Sequence, residues 1–369
     1  MTTFLAARPR SYRASAPFVL AALLAGTHAH AQDATGGVDA IFSAFDPAEP
    51  GCAAAVARDG RVVVNRAFGL AHLEHAVPNT PATIFDVASV NKQFTAAAVL
   101  MLAEEGRLSL QDDIRRYLPE MPDYGTPITI DHVLTQTSGL RDWLFLSMIA
   151  GHHPFKSPRM YQAADVLDLA ARQRGLNHAP GAEFSYTNTG YHLLTIIVER
   201  VSGRSLQDFT SERIFQPLGM TSTRWRADIR EVIPGRATSY EREDGRWMHG
   251  MPLFDNLFTT TGDLLRWNDA LAENRLGPRI TQELQRQGRL NDGSPIEFAP
   301  GMAYTRGLTI GEHRGAQEIA HGGSSAGYRS YVSRYPAHRL SVAVLCNSGE
   351  ANATRIARVV RAARSDVRR

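Results

Sequence analysis

Two side chains in the stretch "DVASVNKQFTAAAVL" (residues 86–100) could do chemistry together. Ser89 and Lys92 sit three positions apart at the mouth of an apolar run, so one helical turn brings a hydroxyl and an amine to the same face. A serine hydroxyl is a poor nucleophile near neutral pH and needs a base. A lysine can serve if burial lowers its pKa, because desolvation disfavours the charged form; while still charged it can instead lower the pKa of a neighbouring phenol. The N-terminal end of a helix adds N–H groups that favour developing negative charge. The pair therefore makes sense as an acyl-transfer nucleophile with its activator, although S-x-x-K also arises often by chance.

Rival chemistries fit less well. "GSSAG" (323–327) matches the G-x-S-x-G of a nucleophile elbow, which requires strand, sharp turn and helix. The next residues, "YRSYVSRY", alternate like a strand, and too little chain remains beyond them for the acid and histidine of such a triad. Ser325 is therefore rejected as a nucleophile. The close histidines, His72 with His75 and His152 with His153, lack the H-E-x-x-H spacing of a zinc hydrolase and read as loop or surface residues.

The elements that must position Ser89 emerge from periodicity. "CAAAVARDGRVVVNRAFG" (52–69) reads as two strands joined at Asp59-Gly60. Near the other end "AYTRGLTIG" (303–311), "QEIAHG" (317–322), "YRSYVSRY" (328–335) and "LSVAVLCN" (340–347) are short and strand-like. The middle is mostly helical: "SYTNTGYHLLTIIVERVSGRS" with Gly203 as its stop, "SLQDFTSERIFQPLGM" from a Ser205 cap to Pro217, and "TTTGDLLRWNDALAENRLG" ending near Gly277. Short helices near 38–45 and 354–364 flank the strands, the second with an apolar face of Ile356, Val359, Val360 and Ala363 that suits packing on a sheet. Strands at both ends predict one antiparallel sheet closed by the two termini, with the helical middle inserted.

The first 31 residues read as a secretory signal rather than as part of the fold. Arg8, Arg10 and Arg13 form a basic start, "APFVLAALLAG" (16–26) is an apolar segment too short to span a bilayer, and Ala29-His30-Ala31 offers a cleavage site. No cysteine comes directly after it, which argues against a lipid anchor. The formal charge of +3 resides in those three arginines; without them 37 basic residues stand against 37 acidic ones, so nothing suggests nucleic-acid binding. Two cysteines, Cys52 and Cys346, cannot build a structural zinc site alone. In an oxidising compartment they could form a disulfide; two buried thiols is the alternative.

Around Ser89 the sequence resembles the serine β-lactamase and penicillin-binding superfamily, in its class C-like branch of esterases, D-amino-acid peptidases and carboxypeptidases. The resemblance rests on three motifs in order: "SVNK" (89–92), "YTN" (186–188) and "HGG" (321–323). "VLTQTSGL" (133–140), "FSYTNTGYHLL" (184–194), "ERIFQPLGM" (212–220) and "AHGGSSAGYRS" (320–330) add to it, over roughly residues 38–364. Singly, Tyr186, Asn188 and His321 would each read as packing or capping residues; in this order they point to catalysis.

The resemblance implies an α+β fold, an antiparallel five-stranded sheet flanked by helices with an inserted, mainly helical subdomain. It places residues 32–369 in a single hydrolase domain, with a sheet lobe at about 38–85 and 300–369 and a helical lobe at about 86–299. It implies that Ser89 forms an acyl-enzyme, that Lys92 and Tyr186 handle its proton, and that Asn188 orients Lys92 or a substrate amide. His321 and Gly323 would bind substrate, with the backbone N–H groups of Ser89 and Ser324 as the oxyanion hole. In the resembled fold the first and last strands are neighbours, which would set Cys52 opposite Cys346. No metal or cofactor is implied, no obligate protein partner and no stable membrane insertion; the partner is a small ester, amide or peptide substrate met in the periplasm or outside the cell.

Two departures shape the expected substrate. The third motif carries His321 and Gly322 where penicillin-recognising relatives have a lysine and a hydroxyl that hold a substrate carboxylate. A histidine is mostly neutral at pH 7, so small esters or amide-type D-amino-acid derivatives are expected ahead of penicillins or peptidoglycan peptides. At "PLFDNLFTTTGDL" (252–264) Asp255 and Asn256 replace paired glycines, which would crowd the cleft if the segment lines it. The reading from another class is a sensor that is acylated at Ser89 and does not turn over.

Overall fold

Strand β1 (Cys52–Arg58) turns into β2 (Arg61–Phe68) through Asp59 and Gly60, whose φ angles of 50° and 72° give the mirror-image turn that Asp-Gly favours. The computed structural model describes residues 42–43, 45–152, 160–251 and 256–365; the signal read in residues 1–31 lies outside the described residues, as does most of the helix read near 38–45. Among the described residues no helix is long and apolar enough to cross a membrane.

Six more strands join β1 and β2: β3 (Glu297–Ala299), β4 (Met302–Tyr304), β5 (Thr309–His313), β6 (Ala316–Ser325), β7 (Tyr328–Tyr335) and β8 (Leu340–Cys346). They form one antiparallel sheet in the order β3-β4-β5-β6-β7-β8-β1-β2. The sheet thus has eight strands, not five. The surplus lies in short edge pieces such as β3 and β4, three residues each, which are too brief to show a period in sequence. "AYTRGLTIG" reads as one strand yet forms two, because it bends back at Thr305, whose N–H bonds Leu308 O at 3.0 Å. Gly307, at φ 82°, lies so close to the Lys92–Gln93 backbone that a Cβ would stand 2.9 Å from Gln93 N.

Both faces of the central strands are covered, which explains why β1 and β8 are apolar without alternation. Ala53, Ala55 and Ala57 of β1 and Ala343 and Leu345 of β8 enter the core shared with the helical lobe. Cys52, Ala54 and Val56, with Val342, Val344 and Cys346, pack on the opposite face. There the helix of residues Ala353–Ser365 lays down Ile356, Ala357 and Val360. The β1–β8 register sets Cys52 opposite Cys346, and the two are joined in a disulfide across a sequence separation of 294.

The helix just after Ser89, α1 (Lys92–Glu104), is buried from Lys92 to Leu102 and apolar on all sides, as a central core helix must be. It packs against α2 (Thr189–Ser202) and, through Phe94, on Trp267 of α3 (Thr261–Ala272) at 4.4 Å between ring centroids. Two helices differ from the sequence reading. The segment after Ser205 is α-helical only over Leu206–Thr210 and continues as a π turn over Ser211–Phe215. Helix α3 stops at Ala272, because Asn274 takes a left-handed φ of 56° and Gly277 leads into a further helix at Pro278–Gln285.

Candidate active site

Ser89 lies in a 3₁₀ turn (Ala88–Asn91) that feeds α1, so its side chain eclipses that of Lys92 three residues on. Lys92 Nζ donates to Ser89 Oγ at 3.0 Å and to Asn188 Oδ1 at 3.1 Å. The backbone just before the serine is strained, with Ala88 at φ 48°. Two side chains hold it there: Asp86 Oδ1 accepts the Ala88 N–H at 2.7 Å, and Ser330 Oγ of β7 donates to Val87 O at 2.6 Å. Burial pushes the Asp86 carboxyl up to about 6, against the pull of the Ala88 N–H and of Asn256.

Asn256 is buried and donates to Asp86 Oδ2 at 2.6 Å, while its Oδ1 accepts from Asn91 at 3.3 Å. Its amide is thus committed to the residues flanking the Ser89 turn rather than crowding the cleft. Asp255 lies outside the described residues.

The second motif is held by residues that sequence reading gave no role. Gln136, at φ 62°, clamps Thr187: its amide accepts Thr187 N–H at 3.0 Å and donates to Thr187 O at 3.0 Å. The same Asp142 Oδ2 accepts from Asn188 N at 2.6 Å and from Asn188 Nδ2 at 3.2 Å. That leaves the Asn188 carbonyl oxygen facing Lys92, so Asp142 decides which way round the amide stands. Tyr186, one residue before Thr187, holds its ring centroid 5.1 Å from Lys92 Nζ. Gln136 lies within the flanking text "VLTQTSGL" and Asp142 two residues beyond it, 51 and 46 residues ahead of the groups they hold.

The third motif runs along β6. Gly323 passes so close to the turn that carries Ser89 that a Cβ would overlap Val87 O and Ser330 Oγ and stand 3.0 Å from Ala88 Cβ. Only glycine allows that approach. Gly322 is different: a Cβ there would meet Tyr331 Cδ2 at 3.5 Å, an ordinary contact. His321 is 6% exposed, and its Nδ1–H donates to Gly322 O at 2.7 Å, which leaves Nε2 as an acceptor without a partner among the described residues. Burial, helped by the charge of Lys92, pulls its pKa down to about 4, so the ring is neutral at pH 7.

Ser89, Tyr186, Asn188, His321, Gly323 and Ser324 line one cavity of about 880 Å³. Lys92 reaches it through Ser89 and Asn188. The cavity wall also carries Arg329 and Arg358, but each faces a glutamate, Glu241 at 3.6 Å and Glu318 at 3.3 Å. Ser325 ends β6 and leads through Ala326 and Gly327 straight into β7, a strand–turn–strand arrangement with no nucleophile elbow. His72 is engaged with Thr238 Oγ1 at 2.9 Å, well apart from this site in its contacts.

A family model described as Beta-lactamase matches residues 38–365. Penicillin-binding protein 4* of Bacillus subtilis (strain 168) is 29% identical over 320 residues, covering 80% of this chain and 67% of that protein. A D-aminopeptidase of Gluconobacter oxydans (strain 621H) is 30% identical over 324 residues, 85% of this chain; the match spans only 59% of the peptidase. Among solved structures, the octameric penicillin-binding protein homologue from Pyrococcus abyssi superposes with a TM-score of 0.77 at 26% identity, over 89% of this chain and 76% of the other.

Proposed function

Because the chain belongs to the β-lactamase family of serine hydrolases, we propose that it is an exported hydrolase that forms an acyl-enzyme on Ser89 and cleaves small amides and esters, D-amino-acid derivatives foremost. The observation that carries this is the hydrogen-bonded run from Ser89 Oγ through Lys92 Nζ to Asn188 Oδ1 at the edge of one cavity. Ser89 Oγ attacks the substrate carbonyl, and its proton passes to the Lys92–Tyr186 pair. The backbone N–H groups of Ser89 and Ser324 receive the charge that develops on the carbonyl oxygen. The pair returns the proton to the departing amine or alcohol; in the second half it takes a proton from the attacking water and delivers it to Ser89 Oγ as the Oγ–acyl bond breaks, which releases the acid and restores the hydroxyl.

The substrate preference rests on the third motif. A cation about 4 Å from a carboxylate is worth about 4 kcal/mol at an effective dielectric near 20, before desolvation. Neutral His321 does not supply it, and Arg329 and Arg358 already have glutamate partners. Substrates without a free carboxylate beside the scissile bond fit this wall, which sets penicillins and peptidoglycan peptides behind simple amides and esters. The D-aminopeptidase relative supports the amide side of the reading. Export is supported by the Cys52–Cys346 disulfide, a bond that persists in oxidising compartments.

A panel of p-nitrophenyl esters, D-alanyl amides and a chromogenic cephalosporin, run on wild type and Ser89→Ala, tests the proposal. Sustained product release from the esters and amides, lost in Ser89→Ala, is expected. Efficient cephalosporin turnover would overturn the substrate preference. A single burst with no further release would make the protein an acylated sensor instead.

A further inference from the structure

Arg334 on β7 is 5% exposed, and its Nη2 has no hydrogen-bond partner among the described residues. Burial alone acts on it and pulls its pKa down to about 10, since no carboxylate stands near enough to offset the cost. Arg306, equally buried, is paired with Asp131 at 2.7 Å and Glu283 at 3.2 Å, and buried Arg361 donates to His313 O at 3.0 Å. Keeping a guanidinium buried without a counter-charge is costly, and such groups are normally satisfied by a partner.

Arg334 lines a cavity of about 540 Å³ at the end of the sheet, between the Asp59-Gly60 turn, the end of α3 and the helix Pro278–Gln285. It lies four residues beyond Ser330 on the same strand, roughly 13 Å at the usual strand rise, so this is not the Ser89 cleft. A second buried polar atom without a partner, Thr281 Oγ1, belongs to the same lining. The charges around it are mostly spent: Asp59 pairs with Arg339 at 2.8 Å and Glu273 with Arg275 at 3.1 Å. Asp269 is the exception. It is half-buried, lines the cavity and makes no ion pair among the described residues.

The lining thus carries a buried guanidinium and a buried hydroxyl, each with an atom that has no partner among the described residues, together with a half-buried carboxylate that feels the charge of Arg275 but makes no ion pair among the described residues. We propose that this cavity is a second ligand site that takes a small carboxylate on Arg334 and Thr281 and prefers one that also carries an ammonium group, as an α-amino acid does, with Asp269 as the counter-charge. Guanidinium and carboxylate match as a bidentate pair, which favours a planar carboxylate over a spherical ion.

Calorimetric titration and thermal shift with glycine, acetate and inorganic phosphate, on wild type, Arg334→Met and Asp269→Asn, test it. Wild type should bind glycine more tightly than acetate and gain a few degrees in Tm at saturation. Arg334→Met should weaken glycine binding about tenfold or more, and Asp269→Asn should bring glycine down to the level of acetate. Ester hydrolysis by Arg334→Met should match wild type, and without ligand the variant should melt no lower, because an unpaired buried charge has been replaced by apolar volume. Binding of none of the probes, or binding that survives Arg334→Met, overturns the site. A response to phosphate alone overturns the carboxylate assignment, and equal binding of glycine and acetate by wild type overturns the role of Asp269.

Discussion

The turn that carries Ser89 and the strand that carries His321 border one cavity, yet they are built by opposite rules. The turn is over-determined. Ala88 is held at a left-handed φ by Asp86 and Ser330, Asp86 is held by Asn256, and Gly323 closes on the whole from outside. The strand is loose where it matters for choice: Gly322 has room for a side chain, and His321 leaves its Nε2 unengaged. The difference teaches that the geometry of bond making is fixed by many contacts, while the preference for one substrate over another hangs on a few atoms that can change without disturbing it.

This contrast orders the effects that substitutions should have. Ser89→Ala should cost on the order of 10⁶ in kcat, as for a nucleophile that acts as a unit with its activators; steady-state rates on the preferred ester measure it. Gly323→Ala must push back Val87 O or Ser330 Oγ and displace the Ser89 and Ser324 N–H groups proposed as oxyanion donors, and should cost about 10²–10³ in kcat. Retention of full activity would show that the turn yields to its neighbours instead of being locked by them. Asp142→Ala frees the Asn188 amide to turn over and should lower kcat by about 10² with KM nearly unchanged, accompanied by a displaced pH–rate profile. A change in KM alone would make Asp142 a mere loop cap.

Smaller effects belong to the strand. His321→Lys with Gly322→Thr rebuilds the cation and hydroxyl of penicillin-recognising relatives, and should raise kcat/KM for carboxylate-bearing substrates about tenfold while esters change little. The smallest effect is on pH-dependent stability. His321 has its pKa lowered from 6.5 to about 4 in the fold, so the stability it contributes is present above pH 6.5 and is lost as the pH falls through about 4. Asp86 runs the other way: its pKa rises from 3.8 to about 6, so its contribution is present below 3.8 and is lost as the pH rises through about 6. The two terms oppose each other over the same window, so urea unfolding between pH 4 and 6 should show stability rising less with pH in His321→Gln and rising more steeply with pH in Asp86→Asn than in wild type.

How much of this could be read beforehand depended on how local the cause was. The β1–β2 hairpin was legible because Asp59-Gly60 alone dictates its turn. Ser89, Lys92, Tyr186, Asn188 and His321 were legible as three short motifs, and the structure brings them to one cavity edge. The holders were not. Asp142 lies 46 residues from Asn188 in sequence, Ser330 is 243 from Val87 and Asn256 is 170 from Asp86, and each works through one hydrogen bond or two that no period announces. The strand count failed for a similar reason, since β3 and β4 exist only because β5 gives them an edge to pair with.

The union of Cys52 and Cys346 in adjoining strands has a consequence for biosynthesis. The ribosome delivers the first of these strands nearly three hundred residues before the second, and until the second arrives the first has an open margin of unpaired amides. A message truncated before residue 340 should therefore yield a chain that aggregates rather than folds, because the sheet cannot close without its last central strand.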